Sequence, residues 1–192
     1  MKAVFIDKDG TLIQDVPYNV DPERITLNPN AGCTLAHLQQ AGYRLLIISN
    51  QSGIAHGYFE ENALVAVQNR LQELLRPFGV YLDGFYYCPH HPEGTVPGYA
   101  IACSCRKPHP GLLLRAAREH AIDLTASWMI GDILHDVEAG NRAGCRTILL
   151  DTGHETEWEP GPYRTPTHTV YDWRQVAALV RGNLANETIT PA

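Results

Sequence analysis

The sequence predicts an α/β protein with a doubly wound, mostly parallel, Rossmann-like sheet. Short buried apolar runs such as Ala3–Ile6 alternate along the chain with longer segments whose apolar residues recur at helical spacing. No internal repeat, low-complexity tract or second-domain boundary interrupts this alternation. Strands that alternate with helices form parallel sheets that carry helices on both faces. We therefore expect one domain over residues 1–192.

The N-terminal half is expected to supply three strands and two helices. Its strands are short apolar or aromatic runs over residues 3–6, 44–48 and 84–87. The first helix, residues 31–42, has apolar residues at helical spacing and a glycine at its C-terminal end. The second helix, residues 60–78, is strongly amphipathic. One of its faces carries Leu64, Val67, Leu71, Leu74 and Leu75.

The C-terminal half continues the alternation with two more strands and three more helices. The strands are expected over residues 128–130 and 147–150, and the helices over residues 112–120, 135–143 and 173–181. Two segments, residues 88–108 and 153–166, have no periodic pattern and are expected to form loops.

Composition and charge narrow the function classes. A formal net charge of -6 argues against a general binder of nucleic acid or anionic membranes, although a local cationic cluster could still bind an anionic substrate. No apolar run approaches the length of a membrane span, and Met1-Lys2 leads straight into a short strand rather than into a signal peptide. Five cysteines without a secretion signal indicate reduced thiols or metal ligands. We expect a cytoplasmic, monomeric protein.

Polar and charged residues follow several predicted strands. They are Asp7 and Asp9, Ser49 with Asn50 and Gln51, Asp132 with Asp136, and the cations Arg106 and Lys107 before a helix. Paired carboxylates can divide nucleophilic attack and proton transfer, and they suit a hard cation such as Mg²⁺. A hydroxyl, amides and a lysine suit the oxygens of a transferring phosphoryl group. Each group alone also fits an ordinary turn or helix cap, but their joint order indicates phosphoryl chemistry.

This order of motifs resembles the haloacid-dehalogenase-like (HAD-like) phosphatases. The matching residues are Asp7-Lys8-Asp9-Gly10-Thr11, Ser49, Lys107, and Gly131-Asp132 with Asp136. The resemblance implies that Asp7 is the nucleophile and that Asp9 is the general acid and base. It also implies Mg²⁺ held by the Asp7 side chain, the Asp9 carbonyl and Asp132. Ser49 and Lys107 would balance phosphoryl charge, and no large cap domain is expected.

Longer stretches are similar to the bacterial D-glycero-D-manno-heptose-1,7-bisphosphate 7-phosphatases, a group within that family. They cover residues 49–55, 86–92 and 103–111. The similarity implies a small-molecule sugar bisphosphate that loses its C7 phosphate during nucleotide-activated heptose biosynthesis. The implied substrate contacts are Asp15, Tyr18, Ser49, Asn50, Gln51, Ser52, Arg106 and Lys107. His56 and Ile133 stand where relatives often carry Arg and Lys, and both differences remove fixed positive charge.

A zinc loop is expected over residues 88–105. Cys88-x-His90 and Cys103-x-Cys105 supply four ligands in two close pairs, and four protein ligands on tetrahedral Zn²⁺ form a structural site. Related phosphatases carry a zinc-bound loop here, so the resemblance points the same way. His91 could replace His90, and free thiols are the alternative to any metal. Outside this cluster, the histidines at positions 37, 120, 154 and 168 are expected to lie on helix or loop surfaces.

Two other functions compete with a sugar-bisphosphate phosphatase. A histidinol-phosphate phosphatase would share the catalytic aspartates and the zinc loop, but its relatives tend to have a shorter span between the two ligand pairs. The non-enzyme alternative is a zinc-stabilised phosphate-binding or interaction module. Such a module would not need all of the candidate catalytic and metal residues together, namely Asp7, Asp9, Ser49, Lys107 and Asp132. The long span between the ligand pairs favours the heptose enzyme over the histidinol-phosphate enzyme.

Overall fold

A parallel sheet of six strands forms the centre of the computed structural model, which describes residues 1–187. The strands are β1 (Ala3–Ile6), β2 (Arg44–Asn50), β3 (Gly84–Cys88), β4 (Trp128–Gly131), β5 (Arg146–Leu150) and β6 (His168–Val170). They lie in the order β3-β2-β1-β4-β5-β6, and every neighbouring pair is parallel. The predicted doubly wound α/β fold is therefore confirmed.

Five α-helices cover the two faces of this sheet within the described residues. They are α1 (Ala31–Gln40), α2 (Ala63–Leu75), α3 (Gly111–His120), α4 (Leu134–Ala143) and α5 (Trp173–Glu187). Side chains alternate along each strand, so Val4 and Ile6 pack in one core layer with α1, α2 and α5. Ala3 and Phe5 face the opposite layer, which α3 and α4 cover. Burial on both sides explains why the strands are apolar without alternation.

The structure corrects three details of the sequence prediction. A sixth strand, β6, was missed because it has three residues and begins with the polar pair His168-Thr169. The helix expected over residues 60–78 is α2 followed by a short 3₁₀ helix, Arg76–Phe78, where Pro77 cannot continue the α-helical hydrogen bonds. The last helix extends to Glu187 rather than ending at residue 181.

The strand order determines where a site can form. The chain leaves β1 toward β2 on one side and later returns to β4 on its other side, which makes the carboxyl ends of these strands a topological switch point. Among the described residues, the loops between β1 and α1 and between β3 and α3 hold no helix longer than the three-residue Pro22–Arg24. None of the helices in residues 1–187 is long and apolar enough to cross a membrane.

Candidate active site

Three buried carboxylates meet at the carboxyl ends of β1 and β4. Asp7 follows β1, Asp132 follows β4, and Asp136 lies in the first turn of α4. One oxygen from each lies within 4.8 Å of the others. Their exposed fractions are 7%, 4% and 0%, so water screens their mutual repulsion poorly.

Lys107 is the cation that faces this cluster. Its Nζ contacts Asp7 Oδ1, lies 2.6 Å from Asp136 Oδ1, and donates a hydrogen bond to the carbonyl of Ile48 at 2.9 Å. Burial alone would lower the pKa of Lys107, but Asp136 and Asp7 outweigh it and raise this pKa. The ammonium group therefore stays charged between the two carboxylates.

One lysine does not balance three carboxylates. Burial raises the pKa of Asp7 to about 7, with Asp136 and Asp9 adding to the rise and Lys107 opposing it. Burial and the neighbouring Asp7 raise the pKa of Asp132 to about 6, against hydrogen bonds from Thr11 and His154. A divalent cation would relieve this repulsion, and clustered carboxylate oxygens are the ligands that Mg²⁺ prefers. The donor set therefore fits Mg²⁺.

Gly10 makes room for this arrangement. Its backbone has a φ of +78°, which residues with a side chain rarely adopt. A Cβ atom built on Gly10 would lie 2.1 Å from Asp132 Oδ2 and 2.6 Å from His154 Nδ1. Only glycine therefore allows the β1 turn to pass this close to the carboxylate.

Asp9 lies apart from the three clustered carboxylates. Its Oδ1 is 2.6 Å from Lys8 Nζ, and its Oδ2 accepts a hydrogen bond from Gln51 Nε2 at 3.1 Å. Gln51 also donates to Ser49 Oγ at 2.7 Å, so it links the ends of β1 and β2. The two aspartates of the D-x-D pair thus occupy different places: Asp7 lies in the buried cluster, and Asp9 lies beside an open cavity.

That cavity has a volume of about 240 Å³. Its lining includes five residues that were predicted to contact substrate, namely Asp15, Tyr18, Asn50, Gln51 and Ser52. Ser49 and Lys107 are buried at 1% and 3% exposure, and Arg106 is half-buried with its guanidinium 3.5 Å from the His90 carbonyl. Burial lowers the pKa of Arg106. The polar lining and the adjacent Asp9 suit a hydroxyl-rich substrate.

Four aromatic rings form a group beside this cavity. Tyr18, which lines the cavity, meets the ring of Tyr58 edge-on at 4.7 Å between centroids. Tyr58 stacks on His56 at 5.6 Å, and His56 lies 4.9 Å from His91 of the zinc loop. His56, the position noted in the sequence, therefore connects the loop after β2 with residues 88–105.

The predicted zinc ligands come together in space. The four donors are the Sγ atoms of Cys88, Cys103 and Cys105 and the Nδ1 atom of His90. The sulfurs lie 3.1–3.4 Å apart, and His90 Nδ1 lies 3.5–3.7 Å from two of them. Ligands about 2.0–2.3 Å from a tetrahedral Zn²⁺ would lie about 3.3–3.8 Å from one another. The donor chemistry and spacing therefore fit Zn²⁺.

His90, and not His91, belongs to this group of four. His91 Nδ1 instead accepts a hydrogen bond from the backbone N–H of Glu93 at 3.2 Å, and its ring lies against His56. Burial opposes ionisation of Cys103, but hydrogen bonds from neighbouring groups, chiefly Cys105, lower its pKa to about 7. A thiolate ligand is therefore accessible near neutral pH.

The zinc loop is attached to both sides of the site. The backbone N–H groups of Thr95 and Val96 donate to the Ala55 carbonyl at 2.7 and 2.9 Å. At the other end, the Asn50 side chain donates to the Lys107 carbonyl at 3.1 Å and accepts from the Lys107 N–H at 3.0 Å. The loop that carries Lys107 is thus fixed to the end of β2.

The loop after β5 contributes residues that the sequence analysis did not place in the site. His154 does lie in a loop, as expected, but its Nδ1 is 2.7 Å from Asp132 Oδ2. Glu155 accepts a hydrogen bond from the backbone N–H of Leu134 at 2.5 Å. The one available signal was position: residues 151–155 follow the carboxyl end of β5, at the edge of the sheet where the other site residues lie.

Known proteins resemble this chain over most of its length. Residues 104–176 match the family described as HAD-hydrolase-like. The D-glycero-beta-D-manno-heptose-1,7-bisphosphate 7-phosphatase of Photorhabdus laumondii is 42% identical over 158 residues, which are 82% of this chain and 84% of that protein. The enzyme of the same name from Escherichia coli K12 is 40% identical over 79% of this chain and 80% of its own length.

A solved structure agrees with these relatives. The D,D-heptose 1,7-bisphosphate phosphatase of B. bronchiseptica, complexed with magnesium and phosphate, has a TM-score of 0.77 and 30% sequence identity. The match covers 95% of this chain and 99% of that one. The parallel sheet and the carboxylate cluster agree with these relatives: the chain belongs to the HAD-like phosphatases and is a phosphoric monoester hydrolase.

Proposed function

We propose that this enzyme removes the C7 phosphate of D-glycero-D-manno-heptose 1,7-bisphosphate through an aspartyl-phosphate intermediate. The chemistry is supported by one arrangement above all: Asp7, paired with Lys107 in the buried cluster, lies two residues before Asp9, which borders a polar cavity. The substrate is supported by the relatives named for this reaction, which are named for the β anomer. The reaction would serve nucleotide-activated heptose biosynthesis.

Asp7 would act as the nucleophile. One of its carboxylate oxygens attacks phosphorus, the bond from phosphorus to the sugar oxygen breaks, and the phosphoryl group is left on Asp7. Lys107 contacts Asp7 directly and offsets the repulsion between an anionic nucleophile and an anionic phosphate. Ser49, buried next to this pair at the end of β2, would donate its hydroxyl hydrogen to a phosphoryl oxygen.

Asp9 would move the protons in both half-reactions. It first gives a proton to the departing sugar oxygen, and it then takes one from the water that attacks phosphorus. This second attack releases phosphate and regenerates the Asp7 carboxylate. Contacts with Lys8 and Gln51 hold the Asp9 carboxyl at the edge of the cavity, where a leaving group would lie.

Two metal ions are part of the proposal. The Asp7 side chain, the Asp9 carbonyl and Asp132 would hold Mg²⁺, with Asp136 close by and paired to Lys107. When bound, Mg²⁺ supplies positive charge for the phosphoryl oxygens. Zn²⁺ on the four Cys and His donors would be structural, because it leaves no open coordination position.

The zinc loop would fix the residues that bind substrate. Arg106 and Lys107 follow Cys105 directly, so a metal on Cys105 restrains the backbone that carries both cations. Arg106, next to the His90 carbonyl, would select the second phosphate of the bisphosphate. Asp15, Tyr18, Asn50, Gln51 and Ser52 would contact the sugar from the walls of the cavity.

Phosphate release from four substrates tests this proposal. They are the α and β anomers of heptose 1,7-bisphosphate, fructose 1,6-bisphosphate and histidinol phosphate. We expect the highest kcat/KM with the β-heptose bisphosphate, loss of the C7 phosphate alone, and no turnover by Asp7→Asn. A preference for histidinol phosphate would favour the alternative enzyme, and the absence of turnover with every substrate would favour a phosphate-binding module. A cytoplasmic location and a monomeric state stay predictions.

A further inference from the structure

We infer that His154 is a positioning residue, which fixes the Asp132 carboxylate in the orientation that binds the catalytic metal. This inference rests on the proposed Mg²⁺ site. It assigns a role to the loop after β5, residues 151–167, in which the sequence shows no motif.

The two oxygens of Asp132 have different partners. Oδ1 accepts a hydrogen bond from Thr11 Oγ1 at 2.9 Å, and Oδ2 lies 2.7 Å from His154 Nδ1. With its proton on Nδ1, the imidazole donates to Oδ2. Because both of its oxygens are held, the Asp132 carboxylate cannot rotate about the Cβ–Cγ bond. Asp132 is only 4% exposed, so little water competes for either contact. Each oxygen retains a further lone pair for a cation.

Glu155, the residue after His154, attaches this loop to the start of α4. The Glu155 side chain is buried, and its Oε2 accepts from the Leu134 N–H at the start of α4, where a negative charge is stabilised. Its Oε1 accepts from the N–H groups of Glu157 and Trp158 at 2.8 and 3.4 Å. Although burial would raise its pKa, these hydrogen bonds lower it, so Glu155 stays an anion.

A second attachment holds the far end of the same loop to α4. Asn141 Nδ2 donates to the carbonyls of Tyr163 and Thr165 at 2.8 and 2.9 Å. Arg164 lies 3.4 Å from Glu138, another residue of α4. The loop is therefore fastened to the helix that follows Asp132, which sets the distance between His154 and the carboxylate.

The turn after β1 packs against the pair formed by Asp132 and His154. Because Gly10 has no side chain, it leaves space that both Asp132 Oδ2 and His154 Nδ1 occupy. His154 is not among the residues that line the 240 Å³ cavity beside Asp9. Its loss should therefore weaken the metal site without altering the contacts that bind substrate.

Metal binding measured directly tests this role. Outer hydrogen-bond partners of metal ligands typically contribute roughly 10–100-fold to metal affinity. We expect His154→Ala to raise the Kd for Mn²⁺, followed by electron paramagnetic resonance, by that factor. The Mg²⁺ concentration needed for half-maximal activity should rise in parallel, while the KM for substrate at saturating Mg²⁺ stays close to that of the wild type.

Matched variants separate positioning from stability. His154→Asn keeps an N–H donor near the position of Nδ1 and should recover most of the Mn²⁺ affinity, whereas His154→Leu has similar size, lacks the donor and should not. Thr156→Ala, at an exposed position of the same loop, should bind Mn²⁺ like the wild type. If His154→Ala does not fold, the Mn²⁺ affinities of His154→Asn and His154→Leu test the inference instead.

Failure of the inference is distinct from failure of the proposed function. If the wild type binds Mn²⁺ and both His154→Ala and His154→Leu bind it equally well, His154 does not position Asp132. If the wild type itself binds no divalent cation, the proposed metal site is wrong and the inference falls with it.

Discussion

Lys107 joins three parts of the active site through a single ammonium group. It contacts Asp7, the proposed nucleophile, pairs with Asp136 and donates to the Ile48 carbonyl in β2. Breaking a buried charge pair by removing one partner is costly because the remaining charge loses its counter-ion. Under the proposed mechanism, the same lysine would serve both the fold and the reaction.

Replacing this lysine should slow the chemical step of the reaction. In Lys107→Met the side chain keeps its length but loses its charge, and we expect kcat to fall by roughly 10²–10³-fold, as for the loss of one electrostatic stabiliser of a transition state. Steady-state kinetics with the heptose bisphosphate measures this change. Zinc content and circular dichroism serve as folding controls, and a folded variant with unchanged kcat would contradict the assigned role.

The clustered carboxylates predict how stability depends on pH and magnesium. Burial raises the pKa values of Asp7 and Asp132 from 3.8 to about 7 and about 6, so the folded protein retains protons that the unfolded chain has released. The metal-free protein should lose stability as the pH rises from about 4 to about 7, because the unfolded state binds fewer protons in that interval. Magnesium should therefore raise the Tm more at about pH 8 than at about pH 5.

Thermal unfolding with and without Mg²⁺, in buffers free of chelators so that zinc is retained, measures this difference. Asp132→Asn is the matched variant, since it removes one of the repelling charges and one proposed ligand. Its Tm should respond less to Mg²⁺ at high pH. An equal or larger magnesium effect at low pH would contradict the electrostatic account.

Some of these residues could be predicted from the sequence and others could not. Asp7, Asp9 and Asp132 follow apolar strands directly, and parallel strands bring their carboxyl ends together. His154 is different, because 22 residues separate it from Asp132 and its loop has no periodic pattern. The contacts between this loop and α4 bring the His154 imidazole to the Asp132 carboxylate. Such contacts between distant segments cannot be predicted from the local sequence.

The zinc loop directly precedes Arg106 and Lys107 in the chain. Its residues have few regular backbone hydrogen bonds, and a Pro- and Gly-rich segment of this length is mobile unless it is anchored. Attachments to Ala55 and Asn50 complement the four metal donors. The family resemblance, together with the spacing of the Cys and His residues, predicted the four donors, with His91 as an alternative to His90. The structure groups His90 with the three thiols.

Loss of one thiol should loosen this element. Cys103→Ser removes a proposed zinc ligand, so we expect a lower zinc content and faster proteolysis between residues 89 and 104. We also expect kcat/KM to fall, because the loop would no longer hold Arg106 and Lys107 in place. Metal analysis and limited proteolysis measure these effects. Cys33→Ser is the control, because Cys33 is exposed and lies outside the cluster. If Cys103→Ser retains stoichiometric zinc and activity, the loop does not depend on the metal.

The start of α5 packs against the turn that follows β1, next to the candidate active site. The indole N–H of Trp173, at the start of α5, donates to the Thr11 carbonyl at 3.0 Å, and the Trp173 carbonyl accepts from Thr34 of α1 at 2.9 Å. Helical spacing predicted α5, yet nothing local indicated that it supports the turn after β1. The missed strand β6 precedes α5 and sets its position at the edge of the sheet.

Truncation of Trp173 should therefore affect the whole molecule. This side chain is 1% exposed, and replacing a buried Trp by Ala typically costs about 3–5 kcal/mol of unfolding free energy. We expect Trp173→Ala to lose about that much in urea denaturation and to lower kcat, since the Thr11 turn loses a hydrogen bond. Tyr171→Ala, at 68% exposure, should change stability by less than about 0.5 kcal/mol. Similar effects for both variants would contradict this view.

Chemical trapping of the intermediate tests the assignment of Asp7 most directly. Acid quenching of the enzyme during turnover of heptose bisphosphate labelled at the C7 phosphate should leave label on the protein, and borohydride should convert the phosphorylated aspartate to homoserine. Mass spectrometry of the N-terminal peptide should then find homoserine at position 7 and unmodified aspartate at position 9. Active enzyme that yields no trapped label, or label on a residue other than Asp7, would contradict the account.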